Sequence, residues 1–488
     1  MRWPFGKREK KAPLASWPVT IKARFDSAQT TADNRRHWAN ADALAADAAA
    51  SPGIRQTLRN RSRYEVANNC YARRIVLAMA NYVIGTGPRL QMLLEDEQDT
   101  DINGRIEREF AAWAKAIGLA GKLRTMRMAK AQDGETFGML MTNSNLPASV
   151  KLDMRLLEAD QVATPGFSAT GPNAADGIVF DKFGNPQTYH VLKSHPGSSL
   201  GTGLNKDDVP AASMVHWFRA DRPGQSRGLT ELLPALPLFA YLRRWTLATV
   251  AAAETAANIS AVMGTNAPAG GEAAAVEPMA EMELANNTAI FAPQGWTATQ
   301  MKPEQPGTTY PAGKREVISE IASCLLIPYS IAAGDSSNLN YASGRLDHQA
   351  YMKSIGIEQA EVESVILDRL LEEWLREAVP VLGLGAIGNL TIAPHQWFWD
   401  GQEHVDPTKE AQADDTRLRN GTLGFPAYFA GQGQDWEVEQ DSAARSLGMT
   451  IEEYRKRLVD SLFRVGGAPA SAKQPQSDEE PVPQEQDQ

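Results

Sequence analysis

A chain of 488 residues with 43% hydrophobic and 22% charged side chains has an ordinary globular balance and room for roughly two to four domains. Its formal net charge of −10 argues against a protein that clamps nucleic acid electrostatically, because such proteins carry a basic excess or a basic face. The most apolar helical stretch, Trp245 to Met263, is mostly alanine and carries Glu254 and Asn258, too polar for a lipid span. The basic start (Arg2, Lys7, Arg8, Lys10, Lys11) lacks the apolar run of a signal peptide, so a soluble chain made in the cytoplasm and not exported is expected. Cys70 and Cys324 are expected to be buried free thiols.

In chain order, residues 1–30 are polar, basic and proline-containing, and read as a loose arm. Ile54 to Ile84 has helical periodicity (Leu58, Val66, Tyr71, Ile75, Ala78, Tyr82), opened by Ser51-Pro52 and closed by Gly85 and Gly87. Ile102 to Lys115 and Lys122 to Lys130 continue the helical pattern. Strand-like runs follow at 137–142, 152–157, 177–181 and 187–193. Leu229 to Ser260 is a long helix with Pro234 and Pro237 near its start. Residues 264–312 are rich in proline and glycine, with one strand-like run, Ala289 to Ala292. Helix resumes at Lys314 and stops at Pro328. A polar loop, Gly334 to Tyr341, leads to the longest helix, Gly344 to Val379, whose inward positions are Met352, Ile355, Val362, Ile366, Leu370 and Trp374. Asp406 to Val465 reads as two or three short helices, and 466–488 as a disordered acidic tail.

Signatures of chemistry are weak. The nearest approach to a phosphate loop, Gly307 to Gly313-Lys314-Arg315, has one residue too many and no hydroxyl for magnesium. Gly85-Thr86-Gly87 lacks a third glycine and meets Pro88. Gly197-Ser198-Ser199-Leu200-Gly201 matches a hydrolase nucleophile elbow, but Gly201, Gly203 and Pro210 prevent the helix that must follow. His395 and His404 lie near Asp400, Glu403 and Asp406 in sequence, and are read as solvated loop residues. No catalytic residue, metal or cofactor is expected.

Several stretches, taken together and in order, resemble the lambda-like family of phage portal proteins. Residues 59–87, RNRSRYEVANNCYARRIVLAMANYVIGTG, resemble its arginine-rich, double-asparagine helix ending in Gly-x-Gly. QDGETFG (132–138) and LEADQVAT (157–164) are similar to the strand and turn that follow. VHWFRADRPGQSRGL (215–229) is similar to the segment before a stem helix, with Gly224, Arg227 and Gly228 in place. LIPYSIAAGDSSNLNYASGR (326–345) resembles the family's Pro-Tyr, Asp-x-x-Asn, Tyr-Ser sequence. HVDPTKEA (404–411) and RLRNGTLGFPAYF (417–429) are similar to its close.

The resemblance implies a mixed α+β, mainly α, portal-type fold in a ring of twelve copies at one capsid vertex of the virion, assembled in the host cytoplasm. It implies a wing (30–228), a stem helix (229–260), a clip (261–313), a second stem helix (314–327) and a tunnel loop (328–345). A channel helix (346–380), a return to the wing (381–412) and a crown (413–465) complete the plan. The tunnel-loop residues toward DNA are then Ser336, Ser337, Asn338, Asn340, Tyr341 and Arg345. The implied partners are double-stranded phage DNA, the terminase large subunit, major capsid and scaffold proteins, and head–tail connector proteins, with no membrane. An acidic balance suits a channel that lets DNA slide past. Another head–tail adaptor ring protein, or a capsid-associated hydrolase, is the alternative.

Overall fold

The computed structural model describes residues 35–94, 102–164, 174–198, 205–258, 262–265, 296–299, 309–337, 340–384, 393–401 and 407–463. The single helix expected from Ile54 to Ile84 is two. After a short α1 (Ala46–Ala49), α2 spans Pro52–Asn68 and α3 spans Cys70–Ile84. Asn69 between them is extended (φ −119°, ψ 118°), and its side chain accepts from the amides of Tyr71 at 3.0 Å and Ala72 at 3.5 Å. An asparagine oxygen in that position caps a new helix, so it starts α3 where periodicity alone would continue α2. α3 buries an apolar face including Ala72, Ile75, Val76, Met79 and Val83. α2 instead buries Arg55, Arg59, Ser62 and Glu65, a polar stripe at helical spacing.

Next come β1 (Arg89–Met92), α4 (Ile102–Ile117) and α5 (Leu119–Asp133). The strands β2 (Glu135–Thr142), β3 (Leu152–Leu157), β4 (Ala174–Ala175), β5 (Ile178–Phe180), β6 (Pro186–Leu192), β7 (Lys206–Pro210) and β8 (Met214–Phe218) follow. β7 and β8 were absent from the sequence reading, β7 because Lys206-Asp207-Asp208 is polar for a strand. They complete two antiparallel sheets, ordered β3-β2-β8 and β4-β5-β6-β7. Gly134 (φ +93°) and Gly228 meet backbone to backbone: a Cβ on either would collide with the opposite main chain.

The long helix expected from Leu229 is α6 (Leu236–Asn258), preceded by a 3-10 turn at Leu233–Ala235. Its expected start is held elsewhere, since the Thr230 hydroxyl donates to Ala131 O at 2.9 Å and the Glu231 amide to the same carbonyl at 3.1 Å. β9 (Val262–Thr265) and β10 (Trp296–Thr299) pair antiparallel and bring together the ends of the segment between them. The strand expected at Ala289–Ala292 lies outside the described residues. α7 (Thr309–Cys324) starts ahead of Lys314 and returns antiparallel to α6, with Trp245 edge-on to Tyr310 at 5.2 Å.

α8 (Tyr329–Ala333) and then α9 (Tyr341–Val362) follow. A π turn, Glu363–Leu367, carries α9 into α10 (Asp368–Leu382), so the longest expected helix is one continuous rod. Of its expected inward residues, Ile355, Val362, Ile366, Leu370 and Trp374 are buried and Met352 is half-buried. Trp374 packs edge-on to Phe110 at 5.3 Å, beside Trp113, whose indole donates to Leu152 O at 2.8 Å. This aromatic cluster locks α10 into the main core. β11 (His395–Phe398) then pairs antiparallel with β1.

The C-terminal block holds α11 (Pro407–Arg419), α12 (Phe425–Gly431), α13 (Trp436–Ser446) and α14 (Ile451–Phe463), four helices where two or three were expected. Cys70 and Cys324 are free but exposed, against expectation, because each sits at a helix end on the surface. Among the described residues no helix is long and apolar enough to cross a membrane.

Candidate functional site

The polar loop after α8 is fixed at both ends. Gly334 takes the left-handed conformation (φ +71°) that ends α8. At that end the Arg74 guanidinium of α3 donates to Ile331 O at 2.8 Å, and Arg315 of α7 lies over the Tyr329 ring at 4.7 Å. The Asp335 carboxylate accepts from the Ser337 amide at 2.9 Å. Hydrogen bonds from Ser337, with Arg315 and Tyr329 nearby, hold it below its usual pKa. Asn340 closes the other end as the N-cap of α9. Its side-chain oxygen accepts from the Ser343 amide at 2.8 Å, while the Asn340 amide donates to the Ser343 hydroxyl at 3.3 Å.

This sorts the six residues that the sequence assigns to the loop. Ser336 and Ser337 are exposed on it. Asn338 lies outside the described residues. Asn340 is exposed but committed to capping. Tyr341 and Arg345 are in the first turns of α9 and not in the loop, because the Asn340 cap starts the helix earlier than Gly344. Arg345 to Ala350 are all exposed, and burial begins only at Tyr351, which packs edge-on to Tyr82 at 5.2 Å.

Behind that free end, α9 is tied down by charge. Arg127 of α5 donates to Glu358 at 2.6 and 2.8 Å and to Glu231 at 2.9 Å, and Lys130 reaches Glu361 at 3.0 Å. The Trp217 indole donates to the same Glu361 at 3.3 Å. A rod held at one end thus presents a hydroxyl- and amide-bearing loop at the other.

A second charged network lies in the interior. The fully buried Glu135 accepts two bonds from Arg227 at 2.7 Å each, one from the Gly228 amide at 3.1 Å, and faces the His216 ring at 3.2 Å. Arg59 lies 3.5 Å from Glu135 and donates to Asp160 at 2.9 Å. Arg63 grips Asp133 at 2.7 and 2.8 Å and Asp160 at 2.9 Å. Arg55 pairs with Asp176. Arg227 also donates to Val162 O at 3.0 Å and Ala159 O at 3.3 Å. Four stretches far apart in sequence (59–63, 133–135, 158–164 and 227–228) therefore meet in one ion-pair lattice. The sequence reading missed it; its signal was the spacing of Arg55, Arg59 and Arg63 on one helical face.

Burial pushes the Glu135 carboxyl up, but Arg227 and the hydrogen bonds from His216 and Arg227 override it and hold it well below the usual range. Burial pushes Asp160 up as well, and Arg59 and Arg63 bring it down. Burial lowers His216, which is therefore held neutral between the rings of Phe137 (4.3 Å) and Phe218 (4.5 Å). In each case the unfolded chain binds the proton first, so stability falls as pH drops. Loss should begin as pH falls below His216's ordinary 6.5 and steepen below about 4.5, where unfolded carboxyls protonate. Thermal melts from pH 7.5 to 3.5 check this. His216→Gln keeps a donor toward Glu135 and should flatten only the upper part; a wild-type melting point flat down to pH 4 would contradict it.

The remaining residues with chemical potential are occupied or undescribed. Ser199, Glu403, His404 and Asp406 lie outside the described residues. Lys314 sits over the rings of Tyr71 and Tyr310. His395 lies 3.2 Å from Asp368. Glu158, Asp160 and His195 bring ligand atoms within 4.8 Å of one another. Both carboxylates already face Arg63, at 3.3 and 2.9 Å, and the Gly197 amide donates to His195 Nδ1 at 3.0 Å. That bond leaves the proton on Nε2, the nitrogen a metal would need, so the group reads as ion pairs.

Residues 32–359 match the family model described as phage portal protein, lambda family. The chain belongs to the lambda family of phage portal proteins. The matched span takes in the buried lattice around Glu135, the polar loop and most of α9. A curated relative, "Probable portal protein" of Halomonas phage phiHAP-1, is 23% identical over 435 residues, covering 84% of this portal protein and 82% of the relative. Among solved structures, the neck of an empty GTA particle, computed with C6 symmetry, is similar at TM-score 0.47 and 16% identity. That match covers 74% of this chain and 89% of the other. An HK97 family phage portal protein from Corynebacterium diphtheriae gives TM-score 0.29 at 11% identity, covering 72% and 96%.

Proposed function

We propose that this portal protein closes into a ring of twelve copies at a capsid vertex, with the loop 334–340 and the free end of α9 turned toward a central channel for double-stranded DNA. The observation that carries the reading is the asymmetry of the α9–α10 rod. Its C-terminal half is locked into the core, while Arg345 to Ala350 are all exposed, with His348 edge-on to Tyr82 at 6.4 Å. On this reading 30–228 and 381–412 form the wing, an assignment supported by the β1–β11 pairing. Residues 229–260 and 314–327 form the stem, supported by the α6–α7 packing. The segment 261–313, within which β9 pairs with β10, is the clip toward the terminase large subunit and the head–tail connector proteins. Residues 413–465 form the crown, and the wing meets major capsid and scaffold proteins. The ring is assembled in the host cytoplasm and ends in the virion, and its role is structural, with energy for DNA movement supplied by the partner motor.

Serine hydroxyls and asparagine amides touch phosphates without the ionic attraction that arrests DNA. Twelve copies at −10 each carry about −120, a field that favours release. Placing lysine at Ser337 and Asn338 adds two positive charges per copy at the channel wall. In vitro packaging should slow at low salt and recover partly as salt rises, since screening weakens the grip. Normal velocity at every salt concentration would place the loop away from DNA.

A further inference from the structure

α7 ends in a motif that ordinarily requires glycine, and here it is closed by leucine. The Leu326 amide donates to Ser323 O at 3.2 Å and the Ile327 amide to Ala322 O at 3.0 Å, the paired bonds of a Schellman cap. Such a cap forces the residue before the final donor into the left-handed region. Leu326 has φ +55°, and among the described residues it alone of the non-glycines is at positive φ. A β-carbon resists that conformation, which glycine adopts freely. The side chain gains little on its own chain either. Leu325 and Ile327 on either side are buried at 9% and 5% exposure, while Leu326 is 71% exposed. Backbone strain and apolar exposure coincide at one residue, so the compensation lies outside the chain.

We infer that Leu326 is an intersubunit knob that seats on the N-terminal stripe of α6 in a neighbouring copy of this chain. The inference rests on the ring reading above. Pro234, Pro237 and Tyr241, spaced as one helical face, are all exposed, Tyr241 at 62%, with Leu233 beside them at 37%. They form an uncovered apolar stripe at the start of α6. Because α7 returns antiparallel to α6, with its first turn against Trp245, its last turn lies level with this stripe. The 3-10 turn Leu233–Ala235 touches α7 as well. Rotation about an axis parallel to this helical hairpin preserves level. On the ring reading, with the axis along the hairpin, the knob of one copy and the stripe of the next therefore lie at one height and can meet, a head-to-tail contact that closes into a ring. An exposed leucine beside tyrosine and proline suits another protein surface and not phosphates, and the shared level selects a second copy over an unrelated partner.

Leu326→Asn tests this in the full-length chain. Asparagine tolerates the left-handed region, so strain is relieved while the apolar knob is lost. The dissociated chain should melt no lower than wild type, yet the concentration for half-assembly, read by mass photometry, should rise by about tenfold or more, the scale of one buried leucine per contact. Tyr241→Ala should shift assembly in the same direction. In a background with Cys70 and Cys324 changed to serine, Leu326→Cys combined with Tyr241→Cys should yield a ladder of covalent oligomers on oxidation, and neither single cysteine should. Rings whose assembly is unchanged by Leu326→Asn overturn the knob and leave the ring reading standing. A wild-type chain that stays monomeric overturns both.

Discussion

Replacing Arg227 with methionine should destabilise the protein by about 3–5 kcal/mol, the cost of leaving a buried charge without its partner. Arg227 is fully buried and supplies two of the hydrogen bonds that neutralise Glu135, while also tying down the carbonyls of Ala159 and Val162. Its removal leaves Glu135 facing the more distant Arg59 and a histidine held neutral. Glu135 and Asp176, the carboxylates that Arg59 and Arg55 of α2 face, then lose a shared partner. Changing Glu135 to leucine in the same chain should recover part of the loss, because two apolar groups replace the pair and no charge is left unmatched. Urea denaturation of the two single variants and the double variant measures the coupling. A loss below about 1 kcal/mol for Arg227→Met would mean that the network is solvated and not structural.

Deleting Ser336 to Leu339 should produce the largest functional change with the smallest structural one. Ser336 and Ser337 are exposed, and their loss removes little buried area. Asn340 stays, because its capping bonds with Ser343 start α9, and losing such a cap costs about 1 kcal/mol. If the loop faces the channel as proposed, rings should assemble and join heads, while packaged DNA falls to background as the shortened loop stops short of the duplex. Heads filled at the wild-type level by this variant would remove the loop from the channel.

Much of the fold could be read from the residues. The rod from Gly344 to Val379 was legible because its apolar residues keep one period through a π turn that shifts the face only slightly. The strand at 152–157 opens with apolar–polar alternation (Leu152, Asp153, Met154, Arg155), and 137–142 shows as a short, mostly apolar run. Three features were hidden for distinct reasons. The break at Asn69 depends on one side chain capping a helix, which is invisible to periodicity. The buried face of α2 is made of arginines, so a search for apolar stripes assigns it to solvent. β7 is held by its neighbour β6 despite a polar sequence, a tertiary effect that overrides local preference. In the candidate site, the exposure of Ser336 and Ser337 followed from composition. The capping role of Asn340 and the helical place of Tyr341 and Arg345 required the backbone.

Electron microscopy of the purified protein decides whether this portal protein closes into a ring around a channel. End-on views should show rings with an open centre. Twelve copies of 53.1 kDa give particles of about 637 kDa, and the free ends of α9 should line the opening. Single 53.1 kDa particles at micromolar concentration, or rings in which α9 faces the outer rim, would contradict it.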